Sequence, residues 1–183
     1  SELIESVNPK SLIIGTASRL VREKGINVLI EAIDRLKGNH DLLCIIIVDG
    51  PEKESLQLLA QGLNLTYYIR FIGHKERVLE YYNIMDIYVS SSFSEGMSNS
   101  VLEALSCEVP VVLSDIEPNK EIVTSAMNQG LYIGELFKSG NPSDLAYKIR
   151  CVLEEKNKSE IGKNCRELII QRYSIESRVR KEI

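Results

Sequence analysis

The sequence contains no apolar run long enough to cross a membrane. Its longest such run, LLCIIIV at Leu42–Val48, is far shorter than the roughly 18 residues that a spanning helix needs. The first ten residues, SELIESVNPK, carry acidic side chains and no apolar stretch, so they do not resemble a signal peptide. Leu42–Val48 is therefore predicted to be a buried strand.

An excess of positive charge is also missing. The formal net charge is −4, and the densest basic cluster, Arg178–Lys181, is interrupted by Val179 and followed by Glu182. Because a nucleic-acid-binding domain needs a clustered basic face, this balance argues against such a function. A length of 183 residues, with 44% hydrophobic and 26% charged residues, instead fits one soluble globular domain spanning residues 1–183.

Cysteine and histidine are too scattered to form a metal site. The cysteines show no C-x-x-C spacing and have no histidine nearby. We interpret them as reduced packing residues of a cytoplasmic protein, and no metal site is predicted. His40 and His74 stand alone in loop-like segments, which favours surface positions over catalytic ones. The four cysteines are Cys44, Cys107, Cys151 and Cys165.

Two common nucleotide-binding fingerprints are missing as well. The first predicted strand continues into IGTASRL, which is not the G-x-G-x-x-G of nicotinamide- or flavin-binding domains. No Walker-type phosphate-binding loop occurs anywhere in the chain. Any nucleotide site must therefore be built in another way.

Short apolar runs alternate with segments of helical periodicity along the chain. Strands that are apolar on both faces and separated by helices predict a parallel sheet covered on both sides. We therefore expect an α/β fold, a Rossmann-like doubly wound parallel sheet of about six strands with a C-terminal helical tail. The predicted strands are Leu12–Thr16, Leu42–Val48, Ile69–Ile72, Ile87–Ser90, Val111–Ser114 and Leu131–Ile133.

Apolar side chains at helical spacing mark the segments between these strands. Beyond Pro142 the strand-like runs stop, and two further amphipathic helices are predicted in the tail. No internal repeat or low-complexity linker divides the chain. The predicted helices lie around Ile26–Ile33, Leu56–Leu63, Arg77–Asn83, Ser100–Ser106, Asn119–Val123, Leu145–Val152 and Ile161–Ile169.

Several polar residues and glycines follow the predicted strands directly. Ligands of an open parallel sheet bind beyond the carboxyl ends of its strands. Arg19 follows the first predicted strand, and Glu95 follows the fourth. Gly50 and Gly73 follow the second and third. All four are therefore expected at one rim of the sheet.

Two glutamates with seven residues between them, Glu95 and Glu103, flank the start of a predicted helix. The spacing alone is weak, because Glu23 and Glu31 share it. Their context is stronger, since EG and the polar cluster SNS leave free N–H groups at a helix start, where phosphate binds. Glu103 either binds a ligand or forms an S-x-x-E capping box with Ser100. Glu95 is either solvated or directed at a polar substrate.

A pair of cations, Arg19 and Lys24 in SRLVREKG, lies in the loop after the first predicted strand. Opposite a helix N-terminus, two cations would enclose a diphosphate from both sides. The alternative is that both are surface charges partnered by Glu23.

The ordered segments ASRLVREKG, IIIVDGPE and RFIGHKERVLEYYNIMDIYVSSSFSEGMSNSVLEALSCEVPVVLSDIEPNKEIV resemble the C-terminal domain of GT-B glycosyltransferases of the retaining family 4. The similarity is close over Leu12–Val123 and looser over the helical tail. It implies transfer of a sugar from a nucleoside-diphosphate sugar, such as a UDP- or GDP-sugar, to an acceptor hydroxyl in polysaccharide or glycolipid synthesis. It implies no cofactor, and the absence of Asp-x-Asp fits metal-independent chemistry.

The resemblance also implies roles for single residues, with Glu95, Arg19 and Lys24 as the catalytic ones. Arg19 and Lys24 match the R-x(4)-K pair that binds the donor diphosphate and stabilises the leaving group. Glu95 matches the glutamate that faces the transferred sugar. Glu103 matches the glutamate that holds the ribose hydroxyls, which favours its ligand-binding interpretation. The further donor-binding residues implied are Gly96, Met97, Ser98, Asn99, Ser100, Gly73, His74 and Lys75.

Two positions depart from the family pattern. VDGP keeps only Gly50 of the two glycines in the family's G-x-G-P. Glu108 stands where the family favours glycine. If that position requires a positive φ, we expect the glutamate to be strained by about 1 kcal/mol.

The resemblance implies that the acceptor binds on a separate N-terminal domain, which we do not expect within these 183 residues. The chain begins shortly before the first strand and stops at RKEI, within a predicted terminal helix. By resemblance we expect a donor-binding fragment that is inactive alone. Its acceptor domain would lie in cis or in a partner chain. The full-length protein is expected to be cytoplasmic and peripheral at the inner membrane face. The alternatives are a noncatalytic nucleotide-sugar-binding subunit and a relative of the sugar-nucleotide 2-epimerases.

Overall fold

A single parallel sheet organises the computed structural model, which describes residues 11–38 and 41–173. The strand order is β3-β2-β1-β4-β5-β6, and every neighbouring pair is parallel. This order reverses direction between β1 and β4, as in a doubly wound sheet. The strands are β1 (Leu12–Ala17), β2 (Leu42–Ile47), β3 (Ile69–Gly73), β4 (Ile87–Ser90), β5 (Val111–Ser114) and β6 (Gly134–Phe137).

Helices connect the strands and follow the last one, so the expected Rossmann-like fold of six strands with a helical tail is confirmed. Four features of the sequence analysis lie outside the described residues: His40, the basic cluster Arg178–Lys181, the leading SELIESVNPK and the terminal RKEI. The helices are α1 (Ile26–Leu36), α2 (Lys53–Gly62), α3 (Val78–Tyr82), α4 (Asn99–Ser106), α5 (Glu117–Met127), α6 (Pro142–Glu154) and α7 (Lys158–Leu168).

The core consists of two apolar layers, one on each face of the sheet. Along β1, Ile14 contributes to the layer beneath α1, α2 and α6, while Ile13 contributes to the layer beneath α3, α4, α5 and α7. Burial of each such side chain stabilises the fold by about 2 kcal/mol. Because both faces are covered, the strand termini and their loops are left to form a site.

The last strand lies later in the chain than predicted, at Gly134–Phe137 instead of Leu131–Ile133. The apolar run Leu131–Ile133 leads into the strand, and Ile133 accepts a backbone hydrogen bond from Val111. A Cβ at Gly134 would lie 1.8 Å from the Val111 carbonyl oxygen. Only glycine allows this approach, so β6 begins with a glycine. Because glycine weakens a strand prediction, the sequence pattern did not extend the strand to this residue.

The second strand ends one residue earlier than predicted. Val48, the last residue of the predicted run, has φ 86 and forms only an isolated antiparallel bridge with Gly73. A β-branched residue rarely adopts a positive φ. The apolar run therefore predicted that the strand continues through Val48. Val48 is also the position at which the resembled family carries the first glycine of G-x-G-P.

Glu108 adopts the positive φ that its alignment with a family glycine implied. Its φ is 64, and it follows the end of α4. Its N–H donates to Leu105 O and the Val109 N–H donates to Ala104 O, both at 3.1 Å. This is a Schellman motif, in which the left-handed residue is usually glycine.

Replacement of Glu108 by glycine is therefore expected to stabilise the protein. Relief of the left-handed strain outweighs the greater flexibility of an unfolded glycine, for a net gain of about 1 kcal/mol in the free energy of unfolding by urea. Glu108→Ala is the control, because it keeps the strain and removes only an exposed 3.5 Å ion pair with Arg166. Equal gains from both substitutions would contradict the strain explanation.

The cysteines are unpaired, as the sequence suggested. Cys44 and Cys165 are buried, and burial raises the pKa of each thiol to about 12. Both are thus packing residues held as neutral thiols. No helix among residues 11–38 and 41–173 is long and apolar enough to cross a membrane.

Candidate functional site

The loops after β1 and β4 meet at the carboxyl edge of the sheet, where the strand order reverses. The Ser91 hydroxyl donates to Lys24 O at 3.0 Å, and the Phe93 N–H donates to Glu23 O at 2.8 Å. Gly25, with φ 59, makes the approach possible, because a Cβ there would lie 2.3 Å from Ser91 O. The fold therefore fixes these two loops against each other.

An ion pair lies at this junction. Lys24 Nζ is 2.5 Å from Glu95 Oε2, and the Glu95 side chain is only 9% exposed. A carboxylate this buried needs partners, and the Ser90 hydroxyl supplies another by donating to Oε1 at 3.1 Å. Lys24 therefore pairs with Glu95 and not with Glu23, which disagrees with the alternative of a surface lysine partnered by its neighbour.

Buried polar groups support the Glu95 loop from below. The Ser114 hydroxyl, at the end of β5, donates to Ser92 O at 2.6 Å. Asn119 on α5 is fully buried, and its Nδ2 donates to Ser114 O at 2.9 Å. This chain of hydrogen bonds links α5 through β5 to the loop that carries Glu95.

The N-terminus of α4 opens beside the ion pair without a side-chain cap. The helix begins at Asn99, and its N-cap, Ser98, makes no side-chain capping hydrogen bond. Ser100 lies inside the helix, so the S-x-x-E capping box is not formed. The leading N–H groups of α4 and its dipole thus remain directed at the space in front of the helix.

The Glu103 carboxylate is held from within the core instead. Glu103 is exposed, and its Oε2 accepts a 3.1 Å hydrogen bond from the hydroxyl of Tyr82, a fully buried residue of α3. Burial raises the pKa of Tyr82, so the phenol stays a hydrogen-bond donor. Among the described residues, Glu103 Oε1 has no hydrogen-bond partner, which leaves one carboxylate oxygen for a ligand.

A second buried tyrosine fixes the first turn of the same helix. The Tyr88 hydroxyl donates to Ser100 Oγ at 2.8 Å, and burial raises the Tyr88 pKa to about 12. The rings of Tyr82 and Tyr88 lie 5.7 Å apart. Two packed phenols therefore orient two side chains of α4.

The loop in front of α4 is open to solvent. Gly96 has an ordinary negative φ, and a Cβ built there would meet nothing within 4 Å, so the fold does not require glycine at this position. Met97 is 47% exposed, Asn99 is exposed and Ser98 is buried. Gly96, Met97 and Asn99 are therefore in contact with solvent in front of α4.

Gly50 at the end of β2 serves the packing of loops. A Cβ at Gly50 would lie 2.4 Å from Leu20 O. The same contact is tied by backbone hydrogen bonds from Leu20 to Asp49 O and from Glu52 to Leu20 O. The retained glycine thus lets the β2 loop lie against the loop that carries the two cations.

The loop after β3 is fixed to that of β2. The Asp49 carboxylate forms a 2.6 Å ion pair with the Lys53 ammonium group and accepts a 3.1 Å hydrogen bond from the His74 N–H, and both contacts lower the Asp49 pKa. Gly73 is buried with φ 75, His74 is exposed and Lys75 is half-buried. These residues lie at the same edge of the sheet as the ion pair.

The structure brings the predicted residues to one edge to different degrees. Lys24 and Glu95 are in contact. Arg19 is exposed in the Lys24 loop, and the Arg19 side chain makes no hydrogen bond or ion pair among the described residues. Among those residues, no group of three or more His, Cys, Asp or Glu side chains could hold a metal ion.

Most of the residues that support the site were not recognisable from local sequence patterns. Tyr82 and Tyr88 lie within apolar patterns, although a buried phenol usually has a polar partner. Ser90 and Ser92 belong to the unbroken run SSS that begins at the last residue of β4, and this polar run at a strand terminus could have suggested them. Asn119 gave no signal, because only the fold shows that its position on α5 is buried.

This arrangement combines complementary groups around one space. An ammonium group and an uncapped helix N-terminus favour phosphate oxygens. Two carboxylates, one nearly buried and one exposed, can accept hydrogen bonds from hydroxyl groups. The site is therefore suited to a ligand that carries both phosphate and sugar hydroxyls.

Comparison with known proteins agrees with this chemistry. The sequence profile of the family described as "Glycosyl transferases group 1" matches residues 4–168. The chain is 30% identical over 177 residues to the N,N'-diacetylbacillosaminyl-diphospho-undecaprenol alpha-1,3-N-acetylgalactosaminyltransferase of Campylobacter jejuni, covering 90% of this chain and 44% of the relative.

Two solved structures share the fold. A Rickettsia africae glycosyltransferase superposes with TM-score 0.84 at 23% identity, over 99% of this chain and 48% of its own. Staphylococcus aureus TarM, crystallised as a mutant with fondaparinux, alpha-GlcNAc-glycerol and UDP, superposes with TM-score 0.81 at 29% identity, over 92% of this chain and 34% of its own. The chain thus spans less than half the length of each of these relatives, and it belongs to the family of glycosyl transferases group 1.

Proposed function

We propose that this chain is the donor-binding, C-terminal domain of a retaining glycosyltransferase that transfers a sugar from a nucleoside-diphosphate sugar to an acceptor hydroxyl. The observation that carries the proposal is the Lys24–Glu95 pair, which joins the β1 and β4 loops in front of the uncapped helix α4. Coverage of less than half of each relative's length supports a missing acceptor domain.

In the proposed complex the diphosphate lies between Arg19, Lys24 and the N-terminus of α4. Cations and helix N–H groups at a leaving diphosphate stabilise the charge that develops as the sugar leaves, an effect on the order of 3 kcal/mol for one well-placed donor. Glu95 accepts hydrogen bonds from the transferred sugar, and Glu103 accepts them from the ribose. We propose that this charge stabilisation needs no metal ion.

The acceptor is proposed to be a growing polysaccharide or a glycolipid. The name of the Campylobacter relative specifies a lipid-linked diphosphate substrate, which supports such an acceptor at the inner face of a membrane. This domain alone contributes only the donor side, so sugar transfer requires an acceptor domain in cis or in a partner chain. The isolated chain is expected to bind nucleotide without catalysing transfer.

Isothermal titration of the isolated chain with UDP, GDP and ADP tests the proposal. One of the three is expected to bind, with equal affinity in the presence and absence of EDTA. Loss of a charge-assisted hydrogen bond removes about 1.5–3 kcal/mol, so Arg19→Ala and Glu103→Ala should each weaken that binding about 10- to 100-fold.

Arg22→Ala is the matched control, because it removes an exposed cation from the same loop as Arg19 and Lys24. Its affinity should stay within about twofold of the unmodified chain. Equal, weak binding of all three nucleotides by every variant would reject the proposed donor site.

A further inference from the structure

Tyr82 connects the buried core to the proposed nucleotide site. It lies on the short helix α3, is completely buried, and donates its hydroxyl to Glu103 Oε2 at 3.1 Å. Glu103 itself is exposed on α4. A free glutamate on a helix surface samples several rotamers, whereas one held by a packed phenol has its carboxylate fixed in advance.

The neighbouring contacts make this phenol rigid. The Tyr82 ring packs at 5.7 Å from that of Tyr88, whose own hydroxyl is held by Ser100. Because the Tyr82 ring cannot move without disturbing this packing, its hydroxyl is a fixed reference point for the carboxylate. The contact uses only Oε2, so Oε1 and the remaining lone pairs of Oε2 stay available to a ligand.

We propose that Tyr82 is a positioning residue that holds the Glu103 carboxylate in the orientation that receives the two ribose hydroxyls of the nucleotide. This inference rests on the proposed function. A vicinal diol presents two donors at a fixed separation, so an oriented carboxylate binds it with a smaller loss of side-chain entropy. Tyr82 touches no part of the nucleotide and acts only through Glu103.

The expected signature is specific for the ribose. Fixing one flexible side chain is worth about 0.5–1.5 kcal/mol, so Tyr82→Phe should weaken binding of the tightest of UDP, GDP and ADP about three- to tenfold. The 2′,3′-dideoxy form of the same nucleotide lacks both hydroxyls and should bind Tyr82→Phe as it binds the unmodified chain. The preference for ribose over dideoxyribose should therefore fall by the same factor.

Tyr88→Phe is the control, because it removes a buried hydroxyl that contacts Ser100 and not Glu103. It should weaken both nucleotides equally or neither. A purely structural role of Tyr82 predicts equal weakening of both nucleotides by Tyr82→Phe as well, and that result would overturn the inference.

A measurement on the unmodified chain covers the case in which Tyr82→Phe does not fold. The ¹³Cζ resonance of Tyr82 should shift when the ribonucleotide binds and stay unchanged with the dideoxy form. Equal shifts with both nucleotides would overturn the inference while leaving the proposed function intact. Failure of all three ribonucleotides to bind the unmodified chain would overturn the proposed function, and the role of Tyr82 with it.

Discussion

Replacement of Gly25 by alanine is expected to destabilise the protein and to abolish most nucleotide binding. Gly25 has φ 59, and the new Cβ would lie 2.3 Å from Ser91 O. A left-handed alanine costs about 1 kcal/mol, and a backbone clash adds about 1–3 kcal/mol. Urea unfolding should therefore show a loss of about 2–4 kcal/mol.

The effect on binding follows from the position of this clash. Relief of the overlap moves the β1 loop away from the β4 loop and separates Lys24 from Glu95. A misplacement of about 1 Å can cost on the order of 100-fold, which is the loss of affinity expected in calorimetric titration.

Gly38→Ala is the matched control for Gly25→Ala. Gly38 also has a positive φ, 86, but a Cβ there would meet nothing within 4 Å. The Gly38→Ala variant should lose only about 1 kcal/mol in the free energy of unfolding and keep its affinity for nucleotide. If Gly25→Ala lost no more stability than Gly38→Ala, the close approach of the two loops would not be the reason for glycine.

Asn119→Asp should produce the second large effect, and one that depends on pH. Asn119 is fully buried; its Nδ2 donates to the Ser114 carbonyl, and its Oδ1 has no hydrogen-bond partner. A carboxylate would place an unpaired charge against that carbonyl. Uncompensated buried charges cost about 3–5 kcal/mol, so a loss of this size is expected at pH 7.

The sign of the pH dependence is fixed by burial. Desolvation raises the folded-state pKa of the new carboxyl above its unfolded value of about 4. The variant is thus most stable, relative to the unmodified protein, below pH 4, where the carboxyl is protonated in both states. Its relative stability falls as the pH rises through the folded-state pKa and becomes constant above it.

Chemical denaturation of both proteins from pH 4 to pH 8 measures this dependence. Asn128→Asp makes the same chemical change at the exposed C-cap of α5 and should cost less than about 1 kcal/mol across the range. A loss for Asn119→Asp that does not change with pH would show that the new carboxyl has the same pKa in the folded and unfolded states, which would contradict the desolvation argument.

The sheet could be predicted because its signal is local. A continuous apolar run such as Leu42–Ile47 is recognisable without knowledge of its neighbours, and the rule that ligands bind at the carboxyl edge then placed Glu95 beside the cation loop. The prediction failed where the backbone departs from regular dihedrals. Val48 and Gly134 are residue types that suggest a different local conformation from the one observed, because valine favours a regular strand and glycine disfavours one.

The partners within the site could not be predicted, because they depend on contacts between distant parts of the chain. Lys24 has Glu23 beside it in sequence, yet it pairs with Glu95, 71 residues away. The S-x-x-E pattern at Ser100 is typical of a helix cap, but the helix begins at Asn99, so Ser100 lies inside it. The Glu103 carboxylate accepts a hydrogen bond from Tyr82 instead. A local motif gives way when tertiary packing offers the same group a buried partner.

The shortest strand pairing in the sheet is that of β1 with β4, in which only Ile14 with Ile87 and Gly15 with Tyr88 are paired. The β1–β4 pairing joins the first and second halves of the chain, and the Lys24–Glu95 ion pair adds a contact between them at the carboxyl ends of these strands. A ligand that contacts both loops would connect the two halves of the chain at this strand pair. Under the proposed function, occupancy of the donor site would therefore raise the free energy of unfolding of the whole chain.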